Sequence, residues 1–573
     1  MNTSQTTPIK PAPTALAVRT APPRIVVSKT QIGLLVALSI LFALALALGL
    51  ASMPGSPAIT HDSANYLSAA TNLVQTGQFV YSVPDTLSQQ SFETKSAYMP
   101  GYQIVIAGLL ALGLTEGVAL YLLTLFGLLA LTVVTFGLGR RLTRSTWGGF
   151  ITALWVLCMP QILDVMTHAL TETLFIPFMV AALYFAAAYL QESDLPNLNR
   201  RHYVLLGLTA FAMSWSPITR AFGLGLIPAI CGPMLLRSWL RRRYRRMWVE
   251  AAVGGVAAVP TLANLVTSYV MNGCAYCGVT PNRVDLSEVA VTRGWIAKLM
   301  LSNFVPELHL NFGLRGLLQS PTTALLVGII SILGVGLLLF TLYRYRVGLR
   351  MVLHNIGYWE RLPVYLFIAI YLGFIFGTTT PGVYVAFNYP RYMVPLYPLV
   401  IALVVAVGND IYRHLPAWWV RAGLIGLMLA YGLGTAQAAS AFVQRAMGGR
   451  GIEAPAMRNH PALAFLRANL RQNDVVFSTK APTVWYYTHQ PTHRLDGVDK
   501  LHCAQLAPPG PGGRSVFVLF PFYVFKGNPT DAESVMWFKD WIGHCGKISV
   551  TQLFQADVAQ PFDDAAIYIV EPK

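Results

Sequence analysis

Acidic residues stand beside long apolar stretches of this sequence, at positions where they could carry out chemistry. Asp62 follows the first apolar stretch, within His61-Asp62-Ser63, and Glu172 directly precedes another. Ionisable residues at membrane depth usually face a polar cavity, pair with a cation or bind a metal. Asp62 is therefore a candidate catalytic carboxylate at a membrane surface. The alternative for Asp62 is that it only caps the helix that follows it.

Asp164 and His168 lie near Glu172, in the short connection between two apolar stretches. All three are candidate substrate-binding residues, and the alternative for the connection is a solvated loop at the interface. Carboxylates and an imidazole could also bind a divalent metal ion, although no fixed ligand spacing is visible. A divalent metal therefore stays an open possibility.

Three basic residues are further candidates for substrate binding: Arg220, Arg391 and Lys95. An arginine at the outer end of a span can bind a phosphate through two hydrogen bonds, or it can extend toward lipid headgroups. The residues alone leave both interpretations open.

Membrane helices must position these residues, because the chain is too apolar for a soluble protein. Its 573 residues are 54% hydrophobic and 12% charged, whereas soluble domains carry about 25% charged residues. Apolar runs approach the length of a bilayer crossing, which predicts a polytopic α-helical membrane protein. The net charge of +16 comes mostly from basic residues beside apolar spans, as orientation signals do, so we expect no nucleic-acid partner.

Hydropathy and charge together predict about eleven transmembrane helices. These are residues 31–51, 118–138, 148–163, 172–190, 203–215, 221–236, 248–270, 322–343, 362–378, 391–409 and 420–440. The positive-inside rule places the Arg237 to Arg246 cluster in the cytoplasm. The apolar stretch 101–114 then does not cross and predicts an interfacial or re-entrant helix.

Three regions follow from this topology. They are a disordered cytoplasmic tail (1–30), a membrane domain (31–440) with long outer loops (52–117 and 271–321), and an extracytoplasmic domain (441–573). Function is expected on the outer face, where both long loops and the last domain lie.

The last region is predicted to be an α/β domain. A short helix is expected at Pro461–Arg471, and strands at Val475–Phe477, Val516–Phe520 and Ala566–Val570. An exported location permits disulfides. Cys503 with Cys545 and Cys274 with Cys277 are candidate pairs, with free thiols as the alternative.

The segment after Asp62 predicts an amphipathic helix. Tyr66, Ala69 and Leu73 recur at helical spacing, and Gly77 fits the position just after the helix. Tyr66, and Tyr102 further along the loop, are candidate partners of a sugar ring. Tyrosines near an interface also occur simply as belt residues.

These residues resemble the motifs of the polyprenyl-phosphate-sugar-dependent glycosyltransferases of the GT-C fold, especially bacterial relatives of the dolichyl-phosphate-mannose protein mannosyltransferases and of the aminoarabinose lipid A transferases. The matching segments are His61-Asp62-Ser63 through Gly77-Gln78-Phe79, Pro100-Gly101-Tyr102, Thr171-Glu172-Thr173-Leu174-Phe175, Thr219-Arg220-Ala221-Phe222-Gly223, and Arg391-Tyr392 with Pro395 and Pro398. Ser63 departs from this pattern, because many relatives carry Glu after the Asp.

The resemblance implies a bacterial inner-membrane enzyme that uses a polyprenyl-phosphate-sugar donor. Its acceptor would be a glycolipid, lipid A, a polysaccharide or a protein outside the cytoplasm, and the anomeric centre would be inverted. Asp62 would be the general base or would orient the acceptor hydroxyl. Arg220 and Arg391, with Lys95, would stabilise the departing phosphate. Glu172 and Asp164 would position the sugar or the acceptor, or hold a metal.

Two rival interpretations come from other classes of protein. A secondary transporter or a lipid-linked sugar flippase would also have many spans, but no repeat between halves is visible and the polar residues crowd on one face. A membrane-anchored interaction protein would leave the spans as a scaffold. That interpretation does not explain why Asp62, Glu172, Arg220 and Arg391 share one face.

Overall fold

The computed structural model describes most of the membrane region and the main elements of the C-terminal region. The described residues are 29–82, 99–192, 198–272, 359–378, 391–414, 418–450, 455–495, 513–520, 532–543, 547–554 and 564–571. Several sequence predictions fall outside these ranges. They are the tail up to residue 28, Lys95, the span 322–343, nearly all of the loop 271–321, and Cys274, Cys277, Cys503 and Cys545.

Thirteen described helices of very different lengths form the membrane region. Their bounds are α1 Lys29–Ser52, α2 His61–Thr76, α3 Gly101–Ala111, α4 Glu116–Thr143, α5 Thr146–Leu157, α6 Pro160–Met166, α7 Glu172–Glu192, α8 Arg200–Thr219, α9 Leu226–Leu240, α10 Tyr244–Asn272, α11 Leu362–Thr378, α12 Tyr397–His414 and α13 Trp418–Ala446. Short 3-10 segments precede α9 (Ala221–Gly225) and α12 (Val394–Leu396). Every predicted span except 322–343 coincides with described helical residues.

Six of the described helices are long and apolar enough to cross a membrane, or seven if the bent pair α5 and α6 counts as one span. The two helices of that pair meet at 70°, and Pro160, which has no backbone N–H to donate, opens the second. The polytopic helical class is confirmed. The predicted number of eleven spans is not confirmed by the described residues.

The helix α3 is too short to span a bilayer. Its 11 residues correspond to about 16 Å at 1.5 Å per residue, roughly half the hydrocarbon thickness. It packs against α2 and beside α4 and α8. These properties agree with the predicted interfacial helix.

The helix α7 is the centre of the membrane region, and most of its residues are buried. It packs against α4 and α8. Near the C-terminal end of α7, the Tyr189 hydroxyl donates a hydrogen bond to Glu250 at 2.7 Å, and Arg246 Nε donates to the Tyr189 oxygen at 2.8 Å. These bonds connect α7 to α10, and they fix one end of the helix whose other end carries Glu172.

The C-terminal region is an α/β domain, as predicted. Its elements are α14 Pro455–Arg458, α15 Pro461–Asn469, β1 Val475–Ser478, α16 Ala481–Thr488, β2 Thr492–Arg494, β3 Ser515–Leu519, α17 Ala532–Gly543, β4 Lys547–Phe554 and β5 Ala565–Glu571. The strands form one sheet in the order β2-β1-β3-β5-β4. The strand β1 is parallel to β2 and β3, whereas β5 is antiparallel to β3 and β4.

The α/β domain docks on the helix that carries Asp62. Ala481 and Trp485 of α16 are buried in one apolar cluster with Tyr66 of α2 and Tyr102 of α3. The Thr492 N–H donates to the Ser82 carbonyl at 3.2 Å, which adds a backbone contact between the same two parts. The domain therefore covers the face where the candidate residues lie.

Candidate functional site

Asp62 lies in the first turn of α2, and a different residue caps that helix. The Thr60 hydroxyl accepts a hydrogen bond from the Ser63 N–H at 3.2 Å, and the Ser63 hydroxyl accepts one from the Thr60 N–H at 3.0 Å. This is a capping box in which Ser63 takes the position that Glu or Gln usually holds. The alternative that Asp62 is the N-cap is therefore wrong. Gly77 ends the helix in a left-handed conformation, as predicted.

Glu172 is the centre of a buried ion-pair cluster, which we call the inner cluster (Asp62, Glu172, Arg220 and Arg391). Its side chain has no exposed surface. One carboxylate oxygen accepts hydrogen bonds from Arg220 Nη1 and Arg391 Nε. The other accepts from Arg391 Nη2 and from the Thr171 hydroxyl, both at 3.0 Å. A carboxylate at this depth needs such partners, because burying an unpaired charge is very costly.

Arg391 joins the two carboxylates of the inner cluster. Its Nη1 donates to Asp62 Oδ2 at 2.5 Å, while its Nε and Nη2 bind Glu172. Only the planar, forked guanidinium group can bridge two acceptors in this way. Arg391 holds the Asp62 carboxylate in place. The Asp62 side chain is nevertheless 29% exposed, so the carboxylate is accessible to solvent. Two guanidinium and two carboxylate groups balance the formal charge of the cluster.

Arg220 reaches the cluster from the turn between α8 and the 3-10 segment before α9. Its guanidinium lies 4.9 Å from the ring centre of Tyr392, the residue after Arg391. Close packing fixes this turn, because a Cβ atom added at Gly101 would lie 2.7 Å from the Ile218 carbonyl oxygen. The Pro100-Gly101-Tyr102 segment thus allows α3 to press directly on the end of α8.

Tyr66 and Tyr102 lie beneath the inner cluster and not on its surface. Both side chains are almost fully buried, and their rings pack edge to face with 5.4 Å between centres. Burial, with the nearby Asp62 carboxylate, raises the pKa of Tyr66 well above its ordinary value, so the hydroxyl stays protonated. Neither ring offers an exposed face in this structure, and the expectation that these residues contact a sugar stays a prediction. We expect both residues to support α2.

Asp164 and His168 are not part of the inner cluster. They form a second group with Arg450, which we call the junction cluster (Asp164, His168 and Arg450). Arg450 donates to Asp164 Oδ1 at 2.8 Å, and a His168 ring nitrogen bonds to the Asp164 carbonyl. Burial lowers the pKa of His168 and outweighs the opposing effect of Asp164. The structure therefore places Asp164 and His168 apart from Glu172, and their role in substrate binding stays a prediction.

Sequence reasoning did not identify Arg450. It follows Gly448-Gly449 at the end of α13, the last predicted span, on the outer side of the predicted topology. An arginine in that position runs against the positive-inside trend. The same signal identified Arg220 and Arg391, and applied to the end of the last predicted span it would also have identified Arg450.

The described carboxylates do not fit a divalent metal ion. Within the described ranges, no group of three or more His, Cys, Asp or Glu side chains is arranged to hold one. Asp62 and Glu172 accept hydrogen bonds from guanidinium groups, which occupy the positions that a cation would need. The arrangement instead resembles an anion site, since two guanidinium groups converge beside an accessible carboxylate.

The helical arrangement and the attached α/β domain are those of a GT-C-fold membrane protein, which confirms the predicted fold. The chain is similar to ArnT from Cupriavidus metallidurans in the apo state, with a TM-score of 0.56 and 13% identity over 95% of this chain and 100% of that chain. ArnT bound to undecaprenyl phosphate gives a TM-score of 0.53, with 13% identity over 93% and 99% of the two chains.

An archaeal structure shares part of this fold. The Archaeoglobus fulgidus oligosaccharyltransferase in the apo form gives a TM-score of 0.52, with 13% identity over 80% of this chain and 64% of that chain. No protein-family model and no curated protein matches the sequence. At this level of identity, the comparisons establish the fold.

Proposed function

We propose that this protein is a membrane glycosyltransferase that moves a sugar from a polyprenyl-phosphate donor to an extracytoplasmic acceptor with inversion. The observation that carries the proposal is the inner cluster, in which Arg391 links the accessible Asp62 carboxylate to the buried Glu172. The ArnT structure bound to undecaprenyl phosphate supports the donor class, because that chain has the same fold and holds a polyprenyl phosphate.

Arg220 and Arg391 would bind the phosphate of the donor. Each guanidinium group has five N–H donors. Arg220 donates to Glu172 through Nη1, which leaves its other nitrogens for a phosphate. Glu172 fixes both groups from the buried side. Donors held in place before the reaction stabilise the negative charge that develops on the leaving phosphate, and their effect is larger where water is excluded.

Asp62 would accept the proton of the attacking acceptor. An acceptor hydroxyl oxygen forms a bond to C1 of the sugar on the face opposite the phosphate, while the bond from C1 to the phosphate oxygen breaks. The electron pair stays on the phosphate oxygen, and the hydroxyl proton passes to the Asp62 carboxylate. A single displacement inverts the anomeric centre. General-base catalysis of this kind raises the rate by roughly 10²- to 10⁴-fold.

The position of the α/β domain agrees with an outer active site. Trp485 packs against the helix that carries Asp62, so we place residues 441–573 outside the cytoplasm, above a membrane domain of residues 31–440. The proposed location is the inner membrane of a bacterium. Lys95 belongs to the proposed donor site through the sequence resemblance alone, since it lies outside the described residues.

A donor panel tests the proposal. Purified protein in proteoliposomes is given radiolabelled polyprenyl-phosphate sugars and an acceptor extract, and free polyprenyl phosphate and labelled product are measured. A transferase releases polyprenyl phosphate and transfers the label. A flippase would move the intact donor across the bilayer with no release, and that result across the whole panel would replace the proposed function with transport. Liposomes without protein give the background.

A further inference from the structure

A polar cavity lies at the junction between the membrane region and the α/β domain. Its volume is about 710 Å³, within the usual range of about 300–1,000 Å³ for small-molecule sites. The end of α1 and the segment that follows it (residues 52–58) form one wall, and Gly117 of α4, residues at the end of α13 and residues of the α/β domain form the others. We call it the junction cavity.

Three arginines line the junction cavity: Arg450, Arg458 and Arg467. Arg450 is anchored, because its Nη2 donates to the Thr167 hydroxyl at 2.6 Å and to the Ser52 carbonyl at 3.2 Å. Arg467 uses its Nε to bind the Tyr487 carbonyl at 3.1 Å. Its two terminal nitrogens and the whole Arg458 guanidinium have no hydrogen-bond partner among the described residues.

Among the described residues, negative charge is scarce around these arginines. The described lining contains no Asp or Glu, and Asp164, which pairs with Arg450, lies outside it with a side chain that is 52% exposed. Burial lowers the pKa of Arg450 more than Asp164 raises it, so the ion pair only partly offsets the loss of solvent. Asn459, Tyr486 and Tyr487 add polar groups to the same walls.

We propose that the junction cavity binds the phosphate or carboxylate group of an anionic, lipid-borne acceptor. Three guanidinium groups suit such an anion, because arginine binds planar or tetrahedral oxyanions through paired hydrogen bonds. The position favours a lipid-borne group, since the wall at residues 52–58 continues directly from α1, a helix apolar enough to span the membrane. The role of the bound lipid as acceptor rests on the proposed function, whereas the binding of its anionic group does not.

The junction cavity also has a direct structural connection to the inner cluster. The Ala58 N–H donates to the Thr167 carbonyl at 3.1 Å, and Ala169 N–H donates to the Ala58 carbonyl at 3.0 Å. Thr167 binds Arg450, and the same short connection ends at Glu172. An anion held by Arg450 is therefore anchored to the backbone that carries the proposed reaction centre.

Binding without donor tests the site separately from catalysis. The Kd of a fluorescent phosphatidic acid is measured in phosphatidylcholine nanodiscs, with the matching diacylglycerol as the neutral reference. Inorganic pyrophosphate in the same nanodiscs is the arm for a free anion. The variants are Arg458→Gln, whose side chain has no hydrogen-bond partner among the described residues, and Arg458→Gln with Arg467→Gln. Arg471→Gln is the matched control, because Arg471 is an exposed arginine of the same domain outside the cavity.

We expect phosphatidic acid to bind more tightly than diacylglycerol, and Arg458→Gln to weaken that binding roughly tenfold, as losing charge-assisted hydrogen bonds would. The double variant should weaken it further and Arg471→Gln should leave it unchanged. Binding of pyrophosphate with the same variant pattern would support the anion site and assign it to free anions as well. Absence of any preference for the anion, or an equal loss in Arg471→Gln, would overturn the proposal.

The two proposals fail in different ways. If the wild type releases no polyprenyl phosphate from any donor but shows the expected Kd pattern, the anion site stands and the transferase function falls. If donor turnover is present and the Kd values do not respond to Arg458 or Arg467, only the anion site is lost.

Discussion

The inner cluster and the junction cluster use the same residue types in opposite surroundings. The Glu172 side chain has no exposed surface and binds two arginines, whereas the Asp164 side chain is 52% exposed and pairs with one arginine and one histidine. Both carboxylates come from the short stretch between 164 and 172. The comparison teaches that burial, more than residue type, decides which ion pair fixes a geometry and which can readily exchange partners.

Neutralising each carboxylate in turn is the strongest test of the difference between the two clusters. We expect Glu172→Gln to lower the free energy of unfolding by about 3–5 kcal/mol, because it leaves two buried guanidinium groups without their counter-charge. Asp164→Asn should change it by about 1 kcal/mol or less, because the Asp164 side chain itself is 52% exposed and solvent screens its ion pairs. Unfolding in mixed micelles measures both. Equal losses in the two variants would remove the distinction between the clusters.

A smaller effect is expected when the shape of a cation changes and its charge does not. Arg391→Lys should lower kcat/KM roughly 100-fold, because a lysine cannot bridge Asp62 and Glu172 with a planar fork. Arg220→Lys removes the hydrogen bond from the Arg220 guanidinium to Glu172, and it should lower kcat/KM roughly tenfold. Steady-state donor turnover measures both variants. If Arg220→Lys proves the more harmful, Arg391 is not the residue that organises the site.

The junction cluster gives the smallest effect, a change in the pH dependence of stability. Burial holds the folded pKa of His168 below its ordinary value of about 6.5, while Asp164 raises this pKa and Arg450 and Arg391 lower it further. The unfolded chain therefore binds more protons between those two pKa values. The free energy of unfolding falls as the pH drops below about 6.5, and His168→Gln should make this fall shallower.

His493 provides the background for that measurement. Burial lowers its pKa too, so some loss of stability at acid pH remains in His168→Gln. Unfolding of both proteins at neutral and mildly acid pH gives the difference in slope. Identical slopes would mean that His168 titrates as a solvated histidine.

The sequence was sufficient to predict the members of the inner cluster but not their contacts. Asp62 and Glu172 are noticeable as carboxylates beside apolar spans, and Arg220 and Arg391 as arginines on the predicted outer side, against the positive-inside trend. Their meeting depends on tertiary packing, since Arg391 binds a residue 329 positions away in the chain. Hydropathy gives the spans and does not give their neighbours.

Three local features could not be decided from the sequence, each for its own physical reason. Thr60 and Asp62 are both good capping residues, so composition could not decide which one ends up at the cap. The strand β4 alternates between exposed and half-buried residues, as an edge strand does, and it lacks the continuous apolar run that identified β3 and β5. Tyr66 and Tyr102 fit a sugar site or a core equally well by type.

The most direct test of the account is the rate of the chemical step in Asp62→Asn after the donor is already bound. Asn keeps the size of the side chain and removes the charge. Asp540→Asn, which changes an exposed aspartate in the α/β domain, is the matched control. We predict that donor affinity in Asp62→Asn stays within about threefold, while the single-turnover rate falls by roughly 10²- to 10⁴-fold. A single-turnover rate equal to that of the wild type, in a folded variant that binds donor, would contradict the role of Asp62 as the general base.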